Sequence, residues 1–550
     1  MPSPRTEVLI VGAGPVGLTL AAALSRQGVA CRIIDKAPAP SDKSKALVVW
    51  SRTLELLDKL GLAETFIAAG MKINGASIYG HGERLAHIHI AGVDSPFGFP
   101  LMIPQNETER LLTEHLAVRG ILIERQVELV GFREATDAVL ATLRRADGRE
   151  ETAAAAWLVG CDGAHSTVRH ALEMPFTGEA EQNDWLLADI HVAGPLPSDE
   201  LSIFWHERGI LAFFPITRDR FRVIADLGMA KTAGKPADPT LAEVQAKVDE
   251  RGPGGLTMTD PVWLAGFRIN ERKVADYRRG RVMLAGDAAH IHSPAGGQGM
   301  NTGMQDSFNL AWKLALACRG TGQPEPLLQS YSRERSAVGD QVLRGAGMMT
   351  MVATLRSPLA QFLRNHTASV LTSFSFVQDK IKNALCELSI HYRHSPLVTD
   401  DWPWAGGGLA AGERLPDAPL TCPHSGRETT LFAETRGPGH ALLLLPGTRE
   451  GQTISPLVAL AREIEADFPT VFAPLLVVSA DDESRLAACA AEAPLPLWLD
   501  ATGRVHEALG AKDRTVVVVR PDGYVGYRGQ PADGKALRTY LARYLVAREN

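Results

Sequence analysis

The stretch LAGDAAHIHSPAGGQGMNTGMQD, residues 284–306, holds two acids, two histidines, a proline and five glycines where a short apolar strand passes into a helical pattern. Glycines clustered this way let a ligand reach the backbone, and Asp287, when ionised, is an acceptor-only group suited to hydroxyl donors. A second cluster opens the chain: Gly12, Gly14 and Gly17 follow the β-branched run VLIV, with Pro15 and Val16 in the same turn. Gly12 permits the turn, Gly14 lets a pyrophosphate approach, and Gly17 lets the following helix pack on the strand, whose partner helix amides hold the anion. Asp35 and Lys36 end the next strand, at the spacing where an acid binds ribose hydroxyls. A third cluster, CDGAHSTVR, places Asp162 and Gly163 at a strand end, with Arg169 closing it. Simpler readings stand beside these: Asp287 as a helix cap, Asp162 as a turn residue with an arginine partner, His290 and His292 as core histidines.

Each cluster needs a strand to bring it in and a helix to carry it away. Residues 7–36 read as strand, glycine turn, helix and strand, and TAAAAWLVGCDGAHSTVR and RGRVMLAGDAAH each repeat an apolar strand running into Gly, Asp and small residues. Together they predict one nucleotide-binding domain assembled from distant pieces. Residues 181–269 alternate as an antiparallel sheet would, a roof over a substrate. Its residues Phe204, Trp205, Phe213, Phe214 and Pro215 are candidate substrate contacts, against the alternative of plain sheet core. From 304 to 400 the pattern is helical, and the Pro/Gly/Asp-rich DDWPWAGGGLAAGERLPDAPL marks a boundary. The tail then alternates strand and helix, including a helix at ESRLAACAAEA and the hairpin RTVVVVRPDGYVGYRG. That order resembles a thioredoxin-like fold without CxxC, which points to packing or assembly and not to redox work.

A chain of 550 residues holds about three or four such units. Lys and Arg number 57 against 63 Asp and Glu, a net charge of −6 without a basic run, which excludes a nucleic-acid surface. Six scattered cysteines carry no metal-ligand spacing, and no stretch of about 20 apolar residues occurs, so no metal, no membrane span and a cytoplasmic location are expected.

The N-terminal turn, CDGAHSTVR and GDAAHIHSPAGGQGMNTGMQD, in that order, resemble the motifs of class A flavoprotein monooxygenases, the para-hydroxybenzoate hydroxylase-like aromatic hydroxylases. VRPDGYVGYRG in the tail resembles the C-terminal domain of their phenol, hydroxyphenylpropionate and polyketide hydroxylase branch. The resemblance implies bound FAD, with NAD(P)H and O2 as co-substrates. It implies an α/β (α+β) chain: a discontinuous Rossmann-like FAD-binding domain at 1–75, 105–180 and 270–340, and an interleaved antiparallel-sheet substrate domain at 76–104 and 181–269. A helical segment at 341–405 and the thioredoxin-like domain at 406–550 complete it. FAD contacts are implied for Gly12, Gly14, Pro15, Val16, Gly17, Asp35, Lys36, Asp162, Gly286, Asp287, Pro294, Gly297, Gly299, Met300 and Asn301, with Pro294, Gly296 and Gly297 beside the ring. Two further segments, SKALVVWSRTLELL and IPQNETERLL, add Lys45 (where the family carries an arginine), Arg52 and Gln105.

The activity so implied is hydroxylation of a small phenolic or polyketide aromatic through a flavin C4a-hydroperoxide. Three alternatives stay open: Baeyer-Villiger insertion or epoxidation on the same fold, an NAD(P)H oxidase without a hydroxylated substrate, and a flavin-binding assembly protein. DWPWAG resembles only half of the halogenase Trp-x-Trp-x-Ile-Pro stretch, and no substrate-deprotonating base is legible. A homodimer is left open. Deleting residues 410–550 is expected to disturb solubility or assembly more than hydride transfer.

Overall fold

The computed structural model describes residues 6–230, 234–355, 357–371, 374–402, 407–449, 453–479 and 495–548. The expected helix at 483–493, and DWPWAG from 403 onward, lie outside the described residues.

Strand Thr6–Val11, a β-branched run buried on both faces, sits at the centre of the first sheet. Cys31–Asp35 pairs with it in parallel on one side and Glu150–Gly160 on the other, and Val282–Leu284 extends the sheet in parallel beyond the latter. Three glycine-and-acid motifs therefore leave neighbouring strands at one edge, the carboxyl end where open α/β sheets bind ligands. Helix Pro15–Arg26 crosses back from the first strand and packs on helix Gly299–Arg319, where Ser307 Oγ donates to the Val16 carbonyl at 2.8 Å.

The second sheet is built on two 17-residue strands, Thr177–Ala193 and Thr257–Lys273. Arg220–Met229, Gly209–Pro215, Leu201–His206, Gly75–Gly80 and Glu83–His89 follow in order. It was expected to be antiparallel, but Leu201–His206 and Gly75–Gly80 pair in parallel, since the latter enters from the nucleotide domain and not through a hairpin. Helix Leu241–Arg251, started by a Thr240–Glu243 capping box, covers the outer face.

Helix Pro324–Ala353 runs without a break across the boundary expected at 340. Gly339 does not end it because Tyr277 presses there: a Cβ would lie 2.4 Å from the Tyr277 hydroxyl. Likewise strand Thr177–Ala193 starts ahead of 181, and Thr399–Asp401, ahead of 406, already pairs with the C-terminal strand Val525–Gly529.

That C-terminal sheet has His440–Leu445 at its centre, parallel to Phe472–Ser479 and antiparallel to Thr515–Val519. Its core is not its own. Trp312, Leu316 and Leu327, from the helices of the nucleotide domain, share one buried cluster with Leu442, Tyr540 and Tyr544. Beside them Arg520, in the turn of the last hairpin, grips Glu334 with two nitrogens at 2.8 and 2.9 Å; Lys313 reaches Glu334 at 2.8 Å, and Trp312 Nε1 donates to Asp522 at 3.2 Å. Farther out, Arg414 meets Glu55 at 3.1 Å.

Candidate functional site

At the first glycine turn each glycine has a distinct reason. Gly12 has φ +103°, and a Cβ there would sit 2.4 Å from the Cys161 carbonyl oxygen; one on Gly17 would sit 2.0 Å from the Gly12 carbonyl oxygen. Around Gly14 nothing lies within 4 Å, so this side is open. Helix Pro15–Arg26 has no side-chain cap, which leaves its first amides free for an anion. Asp35 accepts from the Ala13 amide at 2.7 Å and the Ala37 amide at 2.8 Å, fixing the turn while still lining the cleft.

Lys45 and Gln105 form the opposite wall. Gln105 Oε1 accepts from the Ala46 amide at 3.2 Å, and Arg222, anchored on Asp189 at 2.8 Å, reaches from the second sheet to the carbonyls of Ser44 and Lys45. This loop is therefore held by both domains.

Asp162 borders the cleft but spends its carboxylate on the start of helix Thr167–Ala171: it accepts from Ser166 Oγ at 2.6 Å and from the Thr167 amide at 2.7 Å. Burial raises its pKa, and those hydrogen bonds oppose the shift. Arg169 donates to the carbonyls of Ala164 at 2.6 Å and Ala288 at 3.0 Å, tying this turn to the one around Asp287.

Asp287 differs. It is exposed at the cleft, and among the described residues none donates a hydrogen bond to it. Burial raises its pKa, against the pull of His290 and Lys45. An unpartnered acceptor exposed in the cleft suits hydroxyl donors on a ligand. The turn itself is held from behind by Asp306, which the sequence reading did not single out: it accepts from the Gly286 amide at 2.9 Å, His290 Nε2 at 2.9 Å and Arg335 Nε at 2.6 Å. Burial would raise the Asp306 pKa, but Arg335 and His290 outweigh it and hold it low. His290 is thus a core residue, stacked 5.7 Å from Tyr277. His292 lines the cleft; its Nδ1 donates to the Ser293 carbonyl at 2.8 Å, and burial followed by His290 lowers its pKa to about 4, so the ring is neutral.

Beyond it the backbone thins. Gly297, at φ +63°, would place a Cβ 2.3 Å from Val48, and Trp50 Nε1 donates to the Gly296 carbonyl at 2.9 Å. Helix Gly299–Arg319 starts here without a side-chain cap, its first residues lining the cleft.

Two cavities meet at this loop. The polar cleft, about 450 Å³, collects Gly12, Gly14, Asp35, Lys36, Lys45 and Asp287, together with Pro15, Val16, Gln105, Asp162, Pro294, Gly297, Gly299 and Met300. An apolar cavity of about 630 Å³ lies on the other side, and Val48, Phe214, Ile224, Ser293, Pro294 and Gly297 wall both. A long polar cleft with an open glycine turn at one end, an acceptor carboxylate midway and a glycine-thinned loop at the other fits FAD.

Several expected contacts lie elsewhere. Gly17 and Gly286 are packing positions behind the cleft. Asn301, fully buried, accepts from the Trp50 amide at 2.9 Å and donates to the Val48 carbonyl at 2.9 Å, holding the wall and not facing the cleft. Arg52 points away: it pairs with Glu55 at 2.7 Å, donates to the Asp522 carbonyl and stacks 4.8 Å from Tyr524, because the C-terminal hairpin offers it the better partners. In the second sheet, alternation puts Trp205 and Phe214 on the cavity side. Phe204 and Phe213 face the opposite way into the core under Val244 and Val248, and Pro215 follows their phase. Phe213→Ala is expected to cost about 3–5 kcal/mol of stability. Trp205→Ala should leave unfolding in urea nearly unchanged while altering binding of aromatic guests.

A family model described as FAD binding domain matches residues 5–346, and one described as phenol hydroxylase, C-terminal dimerisation domain, matches residues 462–549. The 6-methylpretetramide 4-monooxygenase of Streptomyces rimosus is 35% identical over 549 residues, 97% of this chain and 93% of its own. Pentachlorophenol 4-monooxygenase of Sphingobium chlorophenolicum is 30% identical, with 99% and 97% covered. Among solved structures, OxyS anhydrotetracycline hydroxylase from Streptomyces rimosus superposes with a TM-score of 0.76 at 29% identity, over 98% of this chain and 99% of its own.

Proposed function

This chain belongs to the FAD-dependent aromatic monooxygenases, and on that premise we propose that it hydroxylates a phenolic, multi-ring substrate seated in the 630 Å³ cavity. The observation that carries this reading is the shared wall: a cleft suited to FAD and an apolar cavity separated by little more than Pro294–Gly297. Reduced by NAD(P)H, bound FAD supplies the activation of O2 and the transfer of one oxygen atom. The relatives' names include both a tetracycline and a phenol, and the cavity, lined largely by Ile, Met, Trp and Ala side chains, admits flat apolar rings of either kind.

The protein's own residues position and exclude. The Gly14 and Val16 amides would hold the pyrophosphate, Asp35 the ribose, and Asp287 the ribityl hydroxyls. Lys45 and Lys36 add positive charge, though a lysine lacks an arginine's bidentate fork. The first amides of helix Gly299–Arg319 and the helix dipole favour negative charge at the ring edge beside Gly297. Trp50, Met102 and Phe214 keep water from the ring face. Residues 1–74, 105–176 and 274–353 form the FAD-binding domain in this assignment, and 462–549 supply a homodimer contact. No helix among the described residues is long and apolar enough to cross a membrane; we place the enzyme in the cytoplasm.

The test is anaerobic reduction by NADPH and NADH, with and without a panel of phenols and phenolic polyketides, followed by isotopically labelled O2. One compound should accelerate reduction and emerge carrying a single labelled oxygen on a ring carbon by NMR. Fast reduction indifferent to every compound, with no label in product, would replace this reading with an oxidase; label in a ring-expanded ester would replace it with insertion.

A further inference from the structure

Among the described residues lining the apolar cavity, Glu387 is the single ionisable side chain. Of the neutral polar groups there, Ser293 Oγ and Thr350 Oγ1 bond each other at 2.7 Å, and Gln298 donates to the Ala384 carbonyl at 2.8 Å. Glu387 follows helix Ser375–Leu385 at the position where a left-handed residue, usually glycine, ends a helix; it takes φ +58° despite its side chain. Strain of this kind, kept at a ligand cavity, marks a side chain with work to do there. Its two carboxylate oxygens are aimed by donors on the helix beside the FAD cleft, Thr302 Oγ1 at 2.8 Å and Gln305 Nε2 at 2.6 Å.

We propose that Glu387 is a catalytic residue that accepts the hydrogen bond and then the proton of a substrate phenol in the apolar cavity. It rests on the aromatic-hydroxylase reading for the phenolic nature of the guest. The substrate O–H bond breaks, its proton passes to a Glu387 oxygen, and the electron pair stays on the substrate oxygen, enriching the ring positions ortho and para to it. The carboxyl is suited to exchange: burial pushes its pKa up to about 7, opposed by Thr302, Arg335 and Gln305 and supported by Asp306. Those groups come from the two long helices packed against it. On its own segment, the neighbouring Cys386 thiol is raised to about 11 by burial and stays neutral.

The probe is 2-naphthol, with naphthalene as the same hydrocarbon lacking the hydroxyl, bound to the oxidised holoenzyme without NAD(P)H. The preference for 2-naphthol is expected to grow roughly tenfold from about pH 6 to about pH 8, as Glu387 ionises and its hydrogen bond becomes charge-assisted. In Glu387→Gln that rise should vanish. In Thr302→Val, which removes a donor to the carboxylate and leaves the glutamate in place, the rise should move to higher pH. A rise that persists in Glu387→Gln, stays in place in Thr302→Val, or is absent from the wild type overturns the proposal. None of these readings needs turnover, so oxygen incorporation stands or falls separately.

Discussion

A chain truncated after residue 409 is expected to yield no stable FAD-binding protein. Two independent losses combine. The truncation strips Leu442, Tyr540 and Tyr544 from Trp312, Leu316 and Leu327, opening a core that both domains share. It also removes Arg520 from Glu334, Asp522 from Trp312 and Arg414 from Glu55, all of them buried. Breaking one buried pair by removing a single partner costs about 3–5 kcal/mol, a large share of the ~5–15 kcal/mol that holds a typical domain folded. Arg520→Met isolates the electrostatic part and should cost that amount in urea unfolding. The sign with pH is set by Glu334: burial would raise its pKa, but Arg520 and Lys313 outweigh burial and hold it well below the usual carboxylate range. Its contribution is thus present above its unfolded pKa of about 4.3 and is lost as pH falls through the folded value, so Arg520→Met should flatten the acid limb of the stability profile. The shared core extends the expectation that deleting residues 410–550 disturbs solubility or assembly to a loss of the fold itself. A monodisperse, FAD-binding 1–409 fragment would remove that extension.

Local pattern carries some of these features and not others. Strand runs, glycine spacing and acids at strand ends are short-range signals, and they placed Gly12, Asp162 and Asp287 at one sheet edge from segments far apart in the chain. Arg52 failed for the opposite reason: its motif matches, but its direction is decided by Asp522 and Tyr524, some 470 residues away. Asp306 and Arg335 form a fully buried pair behind the Gly286 turn, and nothing local distinguishes an acid and a base on two helices from solvent-facing charges. Sequence alone groups Phe204, Trp205, Phe213, Phe214 and Pro215 together as candidate substrate contacts, but they divide between two faces, and the covering helix Leu241–Arg251 decides which face is core. Glu387 was invisible for a similar reason: its strained backbone and its donors Thr302 and Gln305 are tertiary facts.

Asp287→Ala is expected to separate cofactor affinity from fold stability more sharply than any other change in the cleft. The carboxylate takes no hydrogen bond from the described protein groups, so its removal breaks nothing within the apoprotein. Because the side chain is exposed at the cleft and unpartnered, the alanine apoprotein should be about as stable as the wild type. Loss of a hydroxyl bond to a charged acceptor, worth about 1.5–3 kcal/mol, predicts FAD affinity weaker by roughly ten- to a hundredfold. Wild-type affinity should itself decline as pH is lowered toward the raised pKa, since protonation removes the acceptor charge; the alanine variant should lack that decline. Asp287→Asn keeps one acceptor oxygen and should fall between the two. Reconstitution of apoprotein followed by flavin fluorescence gives the affinities, and urea unfolding of the apoprotein gives the stability. FAD retained in full by Asp287→Ala through gel filtration would remove Asp287 from the cofactor site, and an apoprotein weakened by several kcal/mol would make it a structural residue of the turn instead.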